Sequence, residues 1–300
     1  MCVFLWIFIW GGGWAATVHK LFMPFRLKKP RLCGRVEEHV WEGSGLKQNW
    51  ILAAAIVLVL VLIGVGIALA SQGSGGPVLT CGDFALDNTG FAYYYWSEYF
   101  YFSEAYGDYL SETVDFTKPL ADQAYDEDRS WEDYLLEEAM TTVRDTMAMV
   151  FQAEAEGFEL PSEYDGTYQQ VLVNFSSAAQ EGGYENLEAY LRASYGKGAT
   201  RESFEEYLYH SHLAAAYADH LYETCAPTDQ EVRDYFAQRE AEYVGLYECD
   251  PEDESTWMEL VREDLQSESY QNAFLSICDQ YTFLVNYDAV VLTAPEGLYE

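Results

Sequence analysis

The sequence predicts a mostly helical protein: one transmembrane helix, then a multi-helix body whose two ends are joined by a small β element. Three observations predict it. Residues 51–70, ILAAAIVLVLVLIGVGIALA, carry no charge over twenty positions. Beyond residue 88, apolar side chains recur at three- and four-residue spacing, the period of one helix face. Short runs of strand composition stand at the two ends of the body, at 78–86 and 282–293.

Charge divides the chain the same way. Residues 1–48 hold seven Lys/Arg against three Asp/Glu, whereas residues 71–300 hold nine against forty-seven. All twenty-five tyrosines follow residue 70. A body this acidic repels phosphate backbones, which argues against nucleic-acid binding. Its abundant aromatics argue against a disordered tail, and some 220 residues can bury a sizeable core.

At ~1.5 Å per residue, the uncharged run is about 30 Å long, the hydrocarbon thickness of a bilayer. With Trp50 at its interface it defines a transmembrane helix over 49–70. Lys20, Arg26, Lys28, Lys29, Arg31, Arg35 and Lys47 precede it, so the positive-inside rule places 1–48 as a basic cytoplasmic tail and the acidic body outside. The run is too long for a cleaved signal peptide, and SQGSGG after it lacks a clear cleavage site. Residues 1–22 have two readings: a second, poor membrane segment interrupted by three glycines, or sequence ahead of a translation start at Met23. The second is favoured because it leaves a short basic tail before a single span.

Residues 71–77 (SQGSGGP) form a flexible linker, and 78–300 the acidic helical extracytoplasmic domain. PVLTCGDFALDNTGF reads as a hairpin turning at Gly82-Asp83, with a helix start at Asp87 to Thr89. Helices are expected at 91–110, 130–157 (stopped by Gly157), 161–180, 187–195 (closed by Gly196) and 200–225. Thr228-Asp-Gln-Glu231 is a capping box opening a helix to about Tyr243, and a last helix covers 255–281. The strand-like 282–293 is expected to pair with the hairpin and close one domain.

Several stretches carry a family resemblance. QAEAEGFELPSE (152–163) is a helix end, a Gly-apolar step and an acidic restart. NLEAYLRASYGKGATRESFEEYL (186–208) is a short helix ending in Tyr-Gly before a long one, and PTDQEVRDYF (227–236) is a Pro-Thr-Asp-x-Glu start. In this order they resemble the helical chaperone domain of SurA/PrsA-type extracytoplasmic foldases, related to the C-terminal domain of trigger factor. The resemblance covers about 78–293, most clearly 130–243. It implies a SurA N-terminal-like chaperone domain with unfolded or secreted polypeptides as clients. Many family members insert a parvulin-type prolyl isomerase of about 90 residues after the capping-box helix. Here twelve residues, VGLYECDPEDES, lead to the last helix, so that catalytic module is absent.

The aromatic helix is the most unusual feature. YYYWSEYFYF places rings around the whole circumference. If Tyr95, Tyr99, Phe102 and Tyr106 face the core, then Tyr93, Tyr94, Phe100 and Tyr101 face elsewhere and form a client-binding surface of large, amphipathic contact area. The alternative is that a second layer, such as the final helix, covers them. Four cysteines follow the span. Cys81 and Cys278 lie near the chain ends expected to meet and are the preferred disulfide, whereas Cys225 and Cys249 flank one helix and meet only if the loop after it folds back. Free thiols in the core are the other reading.

Other constellations give no site. His210, His212 and His220 lack the i, i+3 or i+4 spacing of helical metal ligands, and no HExxH or CxxC occurs. Acid runs such as Asp126/Glu127/Asp128 and Glu137/Glu138 follow from the abundance of carboxylates, and DPEDES and YDEDRS lack the glycine of a Ca2+ loop. No catalytic residue, metal or cofactor is expected. The expected function is a membrane-anchored extracytoplasmic chaperone-like protein without isomerase activity, its aromatic and Met side chains holding apolar segments in a cleft. The alternative is a structural or adaptor protein of the cell envelope, docking one defined partner on a Tyr-rich face.

Overall fold

A computed structural model describes residues 76–107, 109–247 and 249–299. The expected tail (1–48), transmembrane helix (49–70) and most of the linker lie outside the described residues. Among the described residues, no helix is long and apolar enough to cross a membrane. The chain divides into two units, Met1–Val78 with Asn286–Val290, and Leu79–Val285 with Val291–Glu300. The described part of the first is small: the Asn286 amide donates to the Val78 carbonyl at 2.8 Å, and Tyr287–Ala289 forms a 3-10 turn. Everything below concerns the second.

This unit is mostly helical, with a three-stranded sheet. β1 (Leu79–Cys81) and β2 (Phe84–Leu86) form the expected hairpin, pairing Cys81 with Phe84. Gly82 turns it with φ 57°, a conformation costly for a side chain with Cβ. β3 (Leu284–Val285) pairs antiparallel with β1, giving the order β2-β1-β3. The C-terminal apolar run thus meets the hairpin, but as two residues of strand rather than twelve.

Seven helices follow β2. α1 (Asn88–Tyr106) starts where the Asp87 carboxylate accepts from the Gly90 amide at 2.8 Å. α2 (Trp131–Glu156) opens on a reciprocal Ser130/Asp133 box and stops at Gly157, φ 70°. α3 (Glu163–Glu181) and the short α4 (Leu187–Tyr195), capped by Asn186, precede α5 (Arg201–Thr224), which opens on Thr200/Ser203. α6 (Asp229–Tyr247) begins at the expected box, with Glu231 accepting from the Thr228 amide at 2.8 Å. It runs past Tyr243 with a kink at Arg239 (φ −124°). α7 (Glu254–Cys278) is the last.

Three helices form the centre, and each is buried all round over part of its length. Phe91–Trp96 of α1 are six consecutive buried residues, Thr146–Val150 of α2 five, and Leu213–Ala218 of α5 six. A helix enclosed in this way needs no polar face there. In α5 the alanines 214, 215, 216 and 218 let neighbours approach closely. α2 packs on both α1 and α5; α3 and α4 pack on α5; the second half of α7 packs on α2 and α5.

α6 is built differently. It packs on α7, around a separate apolar cluster of Val232, Phe236, Tyr243, Cys249, Trp257 and Val261. Phe236 and Trp257 stack at 4.0 Å and 6°. Polar cross-links tie the pair: Arg233 to Glu254 at 2.7 Å, Arg262 to Asp229 at 2.6 Å and the Tyr243 hydroxyl to Asp264 at 2.8 Å. The two arginine ion pairs, at the surface, contribute only about 0–1 kcal/mol each. The stacked aromatics carry the contact.

Candidate functional site

α1 presents a different neighbour to each side of its aromatic sequence. Toward α4 and α5, the Tyr93 ring lies 4.8 Å from Tyr195 and 5.5 Å from Phe204, and its hydroxyl shares a hydrogen bond with Ser203 Oγ at 2.9 Å. Tyr94 meets Tyr207 edge-on at 4.9 Å, and the Tyr207 hydroxyl donates to Ser97 at 3.1 Å. Tyr93 is 0% and Tyr94 5% exposed. Burial pushes both phenols upward. Two of the four residues expected on an open client-binding face therefore lie in the core. The second layer that covers them is α4 and α5 rather than the final helix.

The opposite side of α1 packs on α2 and on the long connection over residues 107–130. The Tyr99 hydroxyl donates to the Phe116 carbonyl at 2.5 Å, while Phe102 lies about equally far from Phe116 and Trp131, each at 6.0 Å. Tyr125 stacks on Tyr134 at 4.4 Å with the Arg129 guanidinium over its other neighbourhood, 5.1 Å from its ring. One side chain organises this connection. Gln123 accepts from the Asp115 amide at 2.7 Å and donates to the Asp115 carbonyl at 2.8 Å and the Lys118 carbonyl at 3.2 Å. A connection this long in a folded body is commonly functional.

Between these covered sides a rim stays partly open. Phe100, Tyr101 and Tyr106 are half-buried, and Tyr109 just beyond the helix is 86% exposed. Phe100 packs on Tyr99 at 5.4 Å and on Trp96 at 6.4 Å. Partial burial, Tyr106 and Glu98 all push the Tyr101 phenol upward. Phe100 and Tyr101 thus keep the partial exposure that a binding surface needs. Met140, Met147 and Met149 are buried in α2, so the expected methionine contribution to a cleft is core packing instead.

The C-terminal segment also reaches α1. The Asn88 side chain accepts from the Val291 amide at 2.6 Å and donates to the Val291 carbonyl at 2.8 Å. The Glu296 amide donates to the Ala193 carbonyl of α4 at 2.9 Å. Tyr299 comes into hydroxyl contact with Tyr99 and lies near Glu132. None of these long-range partners has a sequence signal: Asn88 reads as part of a helix start, and VLTAPEGLYE as an ordinary tail.

The expected Cys81–Cys278 disulfide is not formed. Cys81, Cys225, Cys249 and Cys278 are free thiols. Cys278 ends α7 against α2, where its thiol points to Asp145 Oδ1 at 3.8 Å; burial and that carboxylate push it up to about 12. Tyr281, three residues on, is the group near Cys81. The histidines of α5 belong to helix packing. His212 bonds the Leu208 carbonyl through Nδ1 at 2.7 Å, and His220 stacks on Phe158 at 5.2 Å. Burial holds His210 and His212 below the usual imidazole range. Among the described residues, no three His, Cys, Asp or Glu side chains are grouped to hold a metal ion.

No family model, curated protein or solved structure matches the chain. The arrangement itself offers aromatic contact area with polar tips, set in a body whose carboxylates far outnumber its cations.

Proposed function

We propose that the chain is a membrane-anchored, extracytoplasmic chaperone-like protein that holds unfolded or secreted polypeptides without prolyl isomerase activity. The carrying observation is the partial exposure of Phe100, Tyr101 and Tyr106 on α1, whose buried rings pack on further aromatics within an acidic body. Rings of this kind give large contact area at low entropic cost and tolerate many partner sequences. The resemblance to SurA/PrsA-type chaperone domains supports the same reading. So does the short link from α6 to α7, residues 248–253, at the position where that family carries its isomerase module.

The second reading, an adaptor for one defined partner, draws support from the burial of Tyr93 and Tyr94, which leaves a small rim rather than a broad face. Client range separates the two. The full chain in detergent should suppress aggregation of several unrelated denatured proteins, read by light scattering. Replacing Phe100 and Tyr101 by serine should raise the amount needed by about ten-fold, the loss of roughly 1.4 kcal/mol of contact. Far-UV circular dichroism should stay unchanged, because both side chains are already part-exposed. Suppression of no client by the folded protein would transfer the assignment to the adaptor.

A further inference from the structure

The segment over residues 291–299 crosses from the start of α1 to the end of α4 and back to the middle of α1. Its hold is mostly through backbone. Asn88 grips both the amide and the carbonyl of Val291, as a neighbouring strand would, and Ala193 accepts from the Glu296 amide. These three bonds do not read side chains. Any extended segment with an amide at those positions could make them, which is how main-chain recognition tolerates sequence.

Its side chains are held weakly. Leu292, Pro295, Leu298 and Tyr299 are half-buried, while Val291, Thr293, Ala294, Glu296 and Gly297 are exposed. The segment is irregular, with one turn where the Leu298 amide donates to the Pro295 carbonyl at 3.1 Å and Gly297 takes φ 76°. With five of its nine residues exposed and an irregular backbone, the segment sits at the low end of local stability.

Its charge is also unsuited to the place it occupies. The Tyr299 end lies near Glu132, a half-buried carboxyl that burial and the neighbouring Asp133 and Asp122 hold in its neutral form to a higher pH than usual. Carboxylates also lie near the α1 rings that the strap reaches: Glu132 and Asp133 near Tyr95, Asp115 near Tyr99. The strap brings the Tyr299 phenol and no cation to these carboxylates. A lysine or arginine at the Tyr299 position would instead find a carboxylate partner.

We infer that residues 291–299 are a displaceable strap over a polypeptide seat, and that the seat's partner in trans is an extended apolar segment bearing a lysine or arginine that faces Glu132. The side-chain amide of Asn88 and the backbone carbonyl of Ala193 take the incoming main chain, and Tyr99 takes an apolar side chain where Tyr299 now lies. The inference rests on the proposed function and gives it a client chemistry and a gate.

The test uses the full chain in detergent and a version ending after Val290. The probe is a fluorescent peptide, VLTAPEGLYE, and the same peptide with Tyr299→Lys. The strapless chain should bind the first peptide about ten-fold more tightly than the full chain does, as expected if the seat is open only about a tenth of the time. The lysine peptide should bind more tightly still, with the gain lost in Glu132→Gln and in high salt. Equal affinity of both chains, or no binding to a strapless chain that keeps its helical spectrum, would overturn the inference.

Should truncation prevent folding, a full-length Leu298→Ser/Tyr299→Ser variant carries the test. Its Glu296 amide should exchange faster and its peptide affinity should rise; an affinity equal to that of the unaltered chain overturns the strap. Aggregation suppression is read in parallel. Suppression by the full chain with no gain on loosening the strap leaves the proposed function standing and removes the gate. Peptide binding by the strapless chain, with no suppression by either chain, leaves the seat standing and removes the holdase.

Discussion

The Tyr93 hydroxyl lies 2.9 Å from Ser203 Oγ in a fully buried site, whereas the Tyr270 hydroxyl is buried with no hydrogen-bond partner. The same substitution should therefore move stability in opposite directions. Tyr93→Phe removes a made bond, although Ser203 Oγ keeps its Thr200 partners, a loss of about 1 kcal/mol. Tyr270→Phe removes a buried group that gave up water without recompense, so it should be neutral or stabilising by up to about 1 kcal/mol. Denaturant midpoints of the two variants check this; a loss at Tyr270 as large as that at Tyr93 would mean its hydroxyl is satisfied. At this scale the sequence was legible where contacts are local. Asp87, Ser130, Thr200 and Thr228 each cap within three residues, so spacing alone reveals them. Tyr93 and Tyr94 were not legible, because a helix with rings on every side does not say which ring is covered.

At the scale of elements, every helix of the body follows from periodicity and caps, with ends shifted by a few residues. What periodicity could not supply is which helices become central. In α5 helical spacing marks a stripe of Phe204, Leu208, Ser211, Ala215, Ala218 and Leu221. Ser211 and Leu221 of it are only half-buried, whereas Leu213, Ala214, Ala216 and Tyr217 off the stripe are buried, since α1, α2, α3, α4 and α7 all pack on this helix. That enclosure has a titration consequence. His210 and His212 sit on α5 with their imidazoles pushed below 6.5 by burial, partly offset at His210 by Glu206 and Glu154 and at His212 by the Leu208 carbonyl. An imidazole whose folded pKa is depressed is neutral in the fold while the unfolded chain already takes up its proton. Stability should accordingly be full above pH 6.5 and fall as pH drops below it. His210→Gln/His212→Gln should flatten this limb, seen as a smaller difference in urea midpoint between pH 7.5 and pH 5.5. An unchanged difference would assign the acid sensitivity to other groups.

For the whole molecule, net charge sets the condition under which the fold persists. Forty-seven carboxylates against nine cations leave a body near −38, and the described ion pairs, such as Lys118–Asp115 and Arg233–Glu254, lie at the surface. Tyrosine takes over part of the role that cations usually play. Tyr164 donates to Asp219 at 3.0 Å, Tyr235 to Glu268 at 2.6 Å and Tyr243 to Asp264 at 2.8 Å. A phenol satisfies the carboxylate's lone pairs but leaves its charge in place, so self-repulsion remains. Added salt has two opposed effects: it weakens surface pairs worth about 0–1 kcal/mol each, and it screens repulsion among all the unneutralised carboxylates. With 50 acidic against 16 basic residues, the second effect wins. The melting temperature of the full chain in a nonionic detergent should rise on the order of 5–10 °C between about 0.05 and 1 M NaCl, at roughly 2–4 °C per kcal/mol for a body of this size. KCl should act alike, because screening does not distinguish the cations. A melting temperature that fell with salt would mean that the few ion pairs, rather than the surplus carboxylates, govern the stability of the body.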